Sequence, residues 1–143
     1  MLLYRVGNAL HRNKIPVLPK IANLLIRLVH NCAIYSETEI GKGSIFGYGG
    51  IGVVIHKRSV IGKNCVIGSG VTLGGKSNSE NVPVIGDNCY IATGAKILGD
   101  VKVGNNCVVG ANAVVVKDVP DNCVVAGVPA KVIKTDINPK DFY

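Results

Sequence analysis

Aromatic side chains are scarce in this chain of 143 residues, which has no tryptophan, two phenylalanines and five tyrosines. Its hydrophobic fraction is nevertheless 48%, so its core must be filled mainly by Val, Ile, Leu, Ala and Cys. Such small side chains favour a narrow, regular interior over a large irregular one. The hydrophobic fraction also excludes a disordered chain, and the length corresponds to one domain.

Long hydrophobic runs are absent as well. No stretch reaches the roughly 20 apolar residues that are needed to cross a bilayer. Residues 1–3 lack the longer apolar run of a secretory signal. We therefore expect a cytoplasmic location.

Acidic residues are missing from the first 36 positions of the chain. The basic residues of this stretch supply five of the seven net positive charges, and they are Arg5, Arg12, Lys14, Lys20 and Arg27. A local basic excess is most often the solvated face of a helix, and a membrane surface or an acidic partner is the alternative. No aromatic stacking platform accompanies the charges, so we expect no nucleic-acid partner.

A repeated phrase carries the strongest signal in the sequence. The pattern aliphatic-Gly-x-Asn-Cys surrounds Cys65, Cys89 and Cys107, and aliphatic residues continue a step of six through residues 55–115. A period of six that is led by an aliphatic residue is typical of a hexapeptide β-helix, in which three hexads close one triangular coil. The sequence therefore predicts an all-β fold, a parallel β-helix of hexapeptide repeats with a short N-terminal helical segment.

The spacing of the cysteines predicts how the coils stack. Cys89 and Cys107 lie 18 residues apart, which is one coil, whereas Cys65 and Cys89 lie 24 apart. Six residues must therefore leave the coil between Cys65 and Cys89, and the polar run 76–82 is predicted to be this extruded loop. The three cysteines then form one inward column of small side chains. Their spacing fits no zinc template, so we expect no metal site and no catalytic thiol.

The lead-in before the coils is predicted to be an amphipathic helical pair. Pro16 and Pro19 interrupt two apolar patterns with helical spacing. We expect this pair to cap the end of the coils, as repeat proteins require. The predicted organisation is a helical lead-in over residues 1–32, a β-helix over 33–134 and a tail over 135–143. The apolar stripe of the second helix comprises Ile21, Leu24, Leu25 and Leu28.

Three further phrases carry a family resemblance. Residues 71–75 read VTLGG, residues 94–99 read GAKILG, and residues 117–131 begin with KDVP and end with AGVPAK. Together they resemble the serine acetyltransferase branch of the hexapeptide-repeat acyltransferases, over about residues 39–134. The resemblance implies a left-handed parallel β-helix, a homotrimer with active sites between neighbouring subunits, and acetyl-CoA bound along the coils.

The resemblance also implies residues that contact the cofactor. By similarity to the sugar acetyltransferases of this superfamily, Thr93 and Ala111 would face the pantetheine arm. Lys117 and Lys134 match basic positions near the nucleotide phosphates, and Lys131 lies in the same closing motif. Fixed cations suit phosphates, and a thin pantetheine needs small neighbours.

The acceptor half of the family pattern differs in this chain. In serine acetyltransferases the catalytic histidine belongs to an Asp-His-x-Thr-Gly run, whereas residues 46–52 carry Tyr48 or Gly49 in its place. The family's Asp-Arg-His run before proline is also missing, because residues 80–83 read ENVP. We therefore predict a sugar or nucleotide-sugar hydroxyl or amino group as the acceptor. The alternatives are serine O-acetylation and a non-catalytic trimeric scaffold.

One histidine belongs to the coils, and it is His56. Its neighbour Ile55 precedes Leu73 by 18 residues, so His56 should lie one coil below Gly74, where the loop leaves the coil. A neutral imidazole suits a general base at pH 7, and Tyr48 is the second candidate for an acid or hydrogen-bonding role. His11 and His30 are expected to be structural or solvated.

Two groups of atoms are predicted to assist His56. The backbone N–H groups near Gly74 and Gly75 could stabilise the oxyanion. The loop offers hydrogen-bonding side chains that suit a carbohydrate, namely Asn78, Glu80 and Asn81.

Overall fold

The chain begins with two packed helices. The computed structural model describes residues 1–143, with α1 at Leu2–Arg12 and α2 at Leu18–His30. Pro19 lies in the first turn of α2, where a missing N–H costs no helical hydrogen bond. Asn31 ends α2 with a φ of 49°, in the left-handed region that asparagine tolerates. No helix has the length and apolarity needed to cross a membrane.

The rest of the chain forms three sheets of very short strands that wind around one interior. The strands are β1 Glu39–Ile40, β2 Ile45–Phe46, β3 Val54–Ile55, β4 Val60–Ile61, β5 Val66–Ile67, β6 Thr72–Gly74, β7 Val84–Ile85, β8 Tyr90–Ile91, β9 Lys96–Leu98, β10 Lys102–Val103, β11 Val108–Val109, β12 Val114–Val115, β13 Cys123–Gly127 and β14 Ala130–Thr135. Sheet A contains β3, β6, β9 and β12, sheet B contains β1, β4, β7 and β10, and sheet C contains β2, β5, β8, β11, β13 and β14. All pairs are parallel except β13 with β14.

Each coil passes from sheet B to sheet C to sheet A, so the molecule is the predicted triangular parallel β-helix. We name its three edges corner AB, corner BC and corner CA after the sheets that they join. Residues Gly47–Gly50 form an irregular turn with left-handed backbone in corner CA, and a short 3₁₀ turn lies at Pro139–Phe142, after the last strand.

The strand register confirms the predicted length of the coil and the looped-out segment. Tyr90 pairs with Val108 at the regular step of one coil, whereas Val66 pairs with Tyr90 at a step that is longer by one hexad. The step from Ile45 to its partner Val66 exceeds the regular one by half a hexad. Three extra residues therefore enter the first coil, between Ile45 and Val54, where the Gly-rich stretch replaces a regular corner.

The predicted cysteine column is present in the interior. Cys65, Cys89 and Cys107 are each 0% exposed. The Cys65 thiol lies 3.1 Å from the Gly86 carbonyl oxygen, and the Cys89 thiol lies 3.0 Å from that of Gly104. Each thiol thus donates a hydrogen bond to the next coil. Hydrogen bonding to the Cys107 and Cys65 thiols, together with burial, raises the pKa of the Cys89 thiol, which fits a structural role.

The column is longer than the sequence analysis predicts. Ser44 begins it, because its hydroxyl donates to the Gly62 carbonyl over 2.7 Å and accepts the Cys65 N–H over 3.0 Å. Cys123 ends it and is 1% exposed. The pattern aliphatic-Gly-x-Asn-Cys does not indicate Ser44, because serine takes the place of cysteine there. It does not indicate Cys123, because the coil between Cys107 and Cys123 is two residues shorter than a regular coil.

Two features of corner BC explain the recurring glycines and asparagines. Asn64, Asn88 and Asn106 have φ values of 53° to 55°, as a tight left-handed corner requires. Gly62, by contrast, does not adopt a positive φ; it is needed because a Cβ there would lie 2.5 Å from the Gly86 carbonyl oxygen in the next coil. The glycines therefore allow close approach between coils, and the asparagines supply the turn.

The helical pair docks through a different face than the predicted one. Pro19, Ala22 and Ile26 are the buried residues of α2, and the Asn23 side chain accepts the Ser36 N–H over 2.7 Å. The stripe expected to cap the coils points away from them, because all four of its side chains are 41% to 71% exposed: Ile21, Leu24, Leu25 and Leu28. The predicted docking face was therefore wrong: Tyr4 and Ile26 join the hydrophobic core instead, and Asn23 adds a polar contact beside them.

The thiol column yields a stability prediction. Cys89→Asp should lower the free energy of unfolding by several kcal/mol, because a carboxyl group would enter a fully buried position. Cys89→Ser keeps a donor for the Gly104 carbonyl and should cost only about 1 kcal/mol. Urea unfolding followed by circular dichroism measures both values. An aspartate variant as stable as the serine variant would contradict the buried column.

Candidate active site

His56 lies at corner AB, where the coil spacing predicts it. Its backbone N–H donates to the Leu73 carbonyl over 2.9 Å. Its Cδ2 lies 3.9 Å from the position that a Cβ on Gly75 would take. The imidazole is partly exposed beside the residues where the long connection to β7 begins. A substrate at this corner could therefore contact both His56 and the backbone of Gly75.

The state of the His56 ring follows from its surroundings. Desolvation, together with the positive charges of Arg58 and Lys57, lowers the pKa of His56, so the ring is neutral at pH 7. Its Nδ1 accepts the Arg58 backbone N–H over 3.2 Å, which places the proton of the neutral ring on Nε2. To accept a proton at Nδ1, His56 must exchange its hydrogen bond with the Arg58 N–H for one with the substrate. This exposed hydrogen bond contributes about 1 kcal/mol.

The loop after Gly75 is held against the next coil. The Asn81 side chain donates to the Asp100 carboxylate over 2.9 Å, and its backbone N–H donates to the Ser79 hydroxyl over 3.1 Å. Asn81 therefore positions the loop. Asn78 and Glu80 are exposed and remain available to a ligand.

Tyr48 lies at a different edge of the β-helix, corner CA. Its side chain is 88% exposed, and its φ is 51°. A tyrosine in the left-handed region is uncommon, and such backbone strain occurs at functional sites. Because His56 lies at corner AB, the two predicted catalytic side chains are not brought together within one chain.

The predicted pantetheine contacts also lie on corner CA. The Asn112 N–H donates to the Thr93 carbonyl over 3.0 Å, so Thr93 and Ala111 occupy equivalent places in successive coils, and both are exposed. Sequence analysis missed Lys96, whose ammonium donates to the carbonyls of Gly70 and Gly94 over 2.6 and 3.0 Å. Lys96 thereby fixes the backbone of this corner. The exposed small residues leave room for a narrow chain such as pantetheine.

The three predicted phosphate-binding lysines are exposed and belong to the last part of the fold. Lys117 lies in corner AB, between β12 and the Val119 bridge to sheet B. Lys131 and Lys134 belong to β14 of sheet C, and the Lys134 ammonium lies 5.8 Å from the centre of the Phe142 ring. Strand β14 also contacts β12, the strand that leads to Lys117.

A second histidine lies beside the Gly-rich stretch. The Nδ1 of His30 lies 3.5 Å from the position that a Cβ on Gly49 would take. The sequence analysis expects His30 to be structural or solvated, yet the structure places it at corner CA, next to Tyr48. Nothing in the repeat pattern could indicate this, because the contact depends on how α2 docks.

Comparisons with known proteins agree with the fold and the family phrases. The family model described as bacterial transferase hexapeptide (six repeats) matches residues 83–117. The chain is 38% identical over 135 residues to the serine acetyltransferase of Synechococcus elongatus, a match that covers 93% of this chain and 55% of that protein. It is 36% identical over 138 residues to the serine acetyltransferase of Helicobacter pylori, covering 95% of this chain and 80% of that protein.

A solved structure shows the same relation. A serine acetyltransferase in complex with CoA superposes with a TM-score of 0.83 at 34% identity, over 92% of this chain and 54% of that chain. This chain thus spans about half the length of that protein and of the Synechococcus protein. These relatives are named for serine as the acceptor, so they support the alternative interpretation of the sequence and not the predicted sugar acceptor.

The environment of His56 predicts its titration. Its imidazole should titrate below pH 6.5, the ordinary value, and Arg58→Gln should raise its pKa because one nearby positive charge is removed. Histidine NMR signals followed over pH 4–8 give both values, with His56→Gln to assign the resonance. A His56 pKa at or above 6.5 would contradict the described surroundings.

Proposed function

Because the chain belongs to the serine acetyltransferase family, we propose that it transfers the acetyl group of acetyl-CoA to the hydroxyl of L-serine. The observation that carries this proposal is the similarity to serine acetyltransferases, which covers 93% of the chain in sequence and 92% in structure. The sugar acceptor predicted from the sequence has no comparable support. A cytoplasmic location is part of the proposal, because the buried thiols stay reduced there.

The chemistry is a direct acyl transfer. The serine hydroxyl oxygen attacks the thioester carbonyl carbon, and His56 takes up the hydroxyl proton. The resulting oxyanion is stabilised by backbone N–H groups near Gly74 and Gly75. Its collapse breaks the C–S bond, and the proton passes from His56 to the departing CoA thiolate. Acetyl-CoA and serine become O-acetylserine and CoA, with no other reactant.

The active site is proposed to form between copies of the chain in a homotrimer. Within one chain, His56 and Lys117 lie at corner AB, while Tyr48, Thr93 and Ala111 lie at corner CA. A neighbouring copy that brings its corner CA against corner AB would unite the base with the pantetheine strip. A homotrimer, which the family resemblance implies, would thus account for two half-sites on one chain.

The pantetheine arm of acetyl-CoA is proposed to follow Thr93 and Ala111, whose side chains are small and exposed. Lys117, Lys131 and Lys134 are proposed to bind the phosphates, each as a fixed cation.

A kinetic test centres on His56. His56→Ala should lower kcat with L-serine by about 10² to 10⁴ while acetyl-CoA still binds, since a general base contributes this much. His56→Gln distinguishes roles, because glutamine donates a hydrogen bond but accepts no proton at pH 7. Equal losses in both variants indicate a base. Recovery in the glutamine variant would overturn that role in favour of oxyanion binding.

Two further variants and a panel of acceptors complete this assay. Tyr48→Phe and His30→Gln test the two side chains at corner CA. CoA release is measured with L-serine and a set of sugars and amino sugars. Turnover with sugars alone would refute the serine proposal. Binding of acetyl-CoA without turnover on any acceptor would support the scaffold alternative.

Mixed oligomers test whether the site spans two copies. Ala111→Trp should block the pantetheine strip at an exposed position that the fold tolerates, and His56→Ala should remove the base. Each variant alone should be inactive, whereas co-refolding them in equal amounts should restore about a quarter of the sites in a random trimer. No recovery, with mixed oligomers verified by mass spectrometry, would indicate a site within one chain.

A further inference from the structure

The outer face of α2 is apolar and has no partner in the chain. Leu24 is 56% exposed, Leu28 71% and Val29 66%. The residues that lead into the helix continue this face, because Val17 is 60% exposed and Leu18 is 47% exposed. A continuous exposed surface of this kind marks an interaction site in a folded protein.

The helix is fixed in this orientation by its opposite side. The Asn23 amide oxygen accepts hydrogen bonds from the N–H and the hydroxyl of Ser36, both over 2.7 Å. Ala22 and Ile26 are buried against the rest of the molecule. Turning the apolar stripe inward would break these contacts, so the stripe faces outward as part of the fold.

Positive charges gather where α1 joins α2. Arg12, Lys14 and Lys20 line a cavity of about 580 Å³, which also carries Glu37 and Glu39 on its wall. All three basic side chains are exposed. Lys20 lies in the first turn of α2, so cationic groups lie at the end of the helix that carries the apolar stripe. This is the arrangement of helices that lie in the interface of a membrane.

We propose that α1 and α2 bind the surface of a bilayer that contains anionic lipids. The stripe of α2 enters the boundary between headgroups and acyl chains, and Arg12, Lys14 and Lys20 contact lipid phosphates. The charge favours this partner over a second copy of the same surface, because residues 1–40 contain five basic residues against two acidic ones, Glu37 and Glu39. Two such surfaces would repel each other, whereas an anionic bilayer attracts both charge and apolar groups.

The proposal goes beyond the acetyl transfer and does not depend on it. Corners AB and CA carry the candidate catalytic and cofactor-binding residues, while the proposed membrane contact involves the helical pair. Failure of the membrane proposal would leave the serine proposal unchanged.

Vesicle flotation with the full chain tests the proposal. The protein should float with phosphatidylcholine vesicles that contain phosphatidylglycerol as the minor lipid, less so in high salt, and not with phosphatidylcholine alone. Lys14→Gln with Lys20→Gln should weaken binding about tenfold to thirtyfold, since each basic residue near such a surface contributes about 1 kcal/mol. Free phosphate at millimolar concentration should not displace the protein from the vesicles, since a lipid surface and not the ion is the ligand.

Matched substitutions distinguish a contact between the stripe and the lipid from a general effect of removing an exposed apolar side chain. Leu24→Ser with Leu28→Ser should reduce binding at least tenfold, whereas Ile133→Ser, which alters a side chain that is 66% exposed on β14, should not. Thermal unfolding confirms that each variant folds. Failure of the wild-type protein to float with anionic vesicles would overturn the proposal. If the leucine variant then also has a smaller mass by light scattering, the stripe contacts a second copy.

Discussion

The stacking of parallel coils by backbone hydrogen bonds is the constraint on which the rest of the structure depends. Adjacent coils lie about 4.8 Å apart, so every group at a corner is repeated one coil away. At Gly62 this leaves no room for a Cβ, because the Gly86 carbonyl is in the way. In the interior it leaves room for a thiol at Cys89, which donates to the coil above. The shortage of aromatic residues follows from the same narrow interior.

The corners are also where this fold can place chemistry. Within the two-residue strands one side chain points inward and the other outward, so departures from the repeat concentrate at the edges. His56 and the loop near Gly75 lie on one edge, and Tyr48, Thr93 and Ala111 lie on another. Each chain therefore presents two different surfaces, and a symmetric assembly is the simplest way to join them. The proposed serine acetylation depends on this union.

The helical pair is positioned by different contacts from those that stack the coils. It docks through buried side chains such as Tyr4 and Ile26 together with the hydrogen bond of Asn23 with Ser36, and it leaves its most apolar side in solvent. Because a few buried and polar contacts fix the helices, amphipathic spacing alone does not reveal which side is buried. Five of the seven net positive charges lie in this pair and the turn within it, and the proposed lipid contact gives them a role that the catalytic surface does not.

The sequence by itself determined the coil, because a step of six repeats along the chain and each repeat specifies its own strand and corner. It also placed the column of Cys65, Cys89 and Cys107 and the position of His56, because residues one coil apart in the sequence lie next to each other in adjacent coils. Only the tertiary structure decided which side of α2 is buried, that His30 lies beside Gly49, and that Tyr48 and His56 occupy different edges. Those relations join segments that share no period, so they depend on docking and on the extra residues of the first coil.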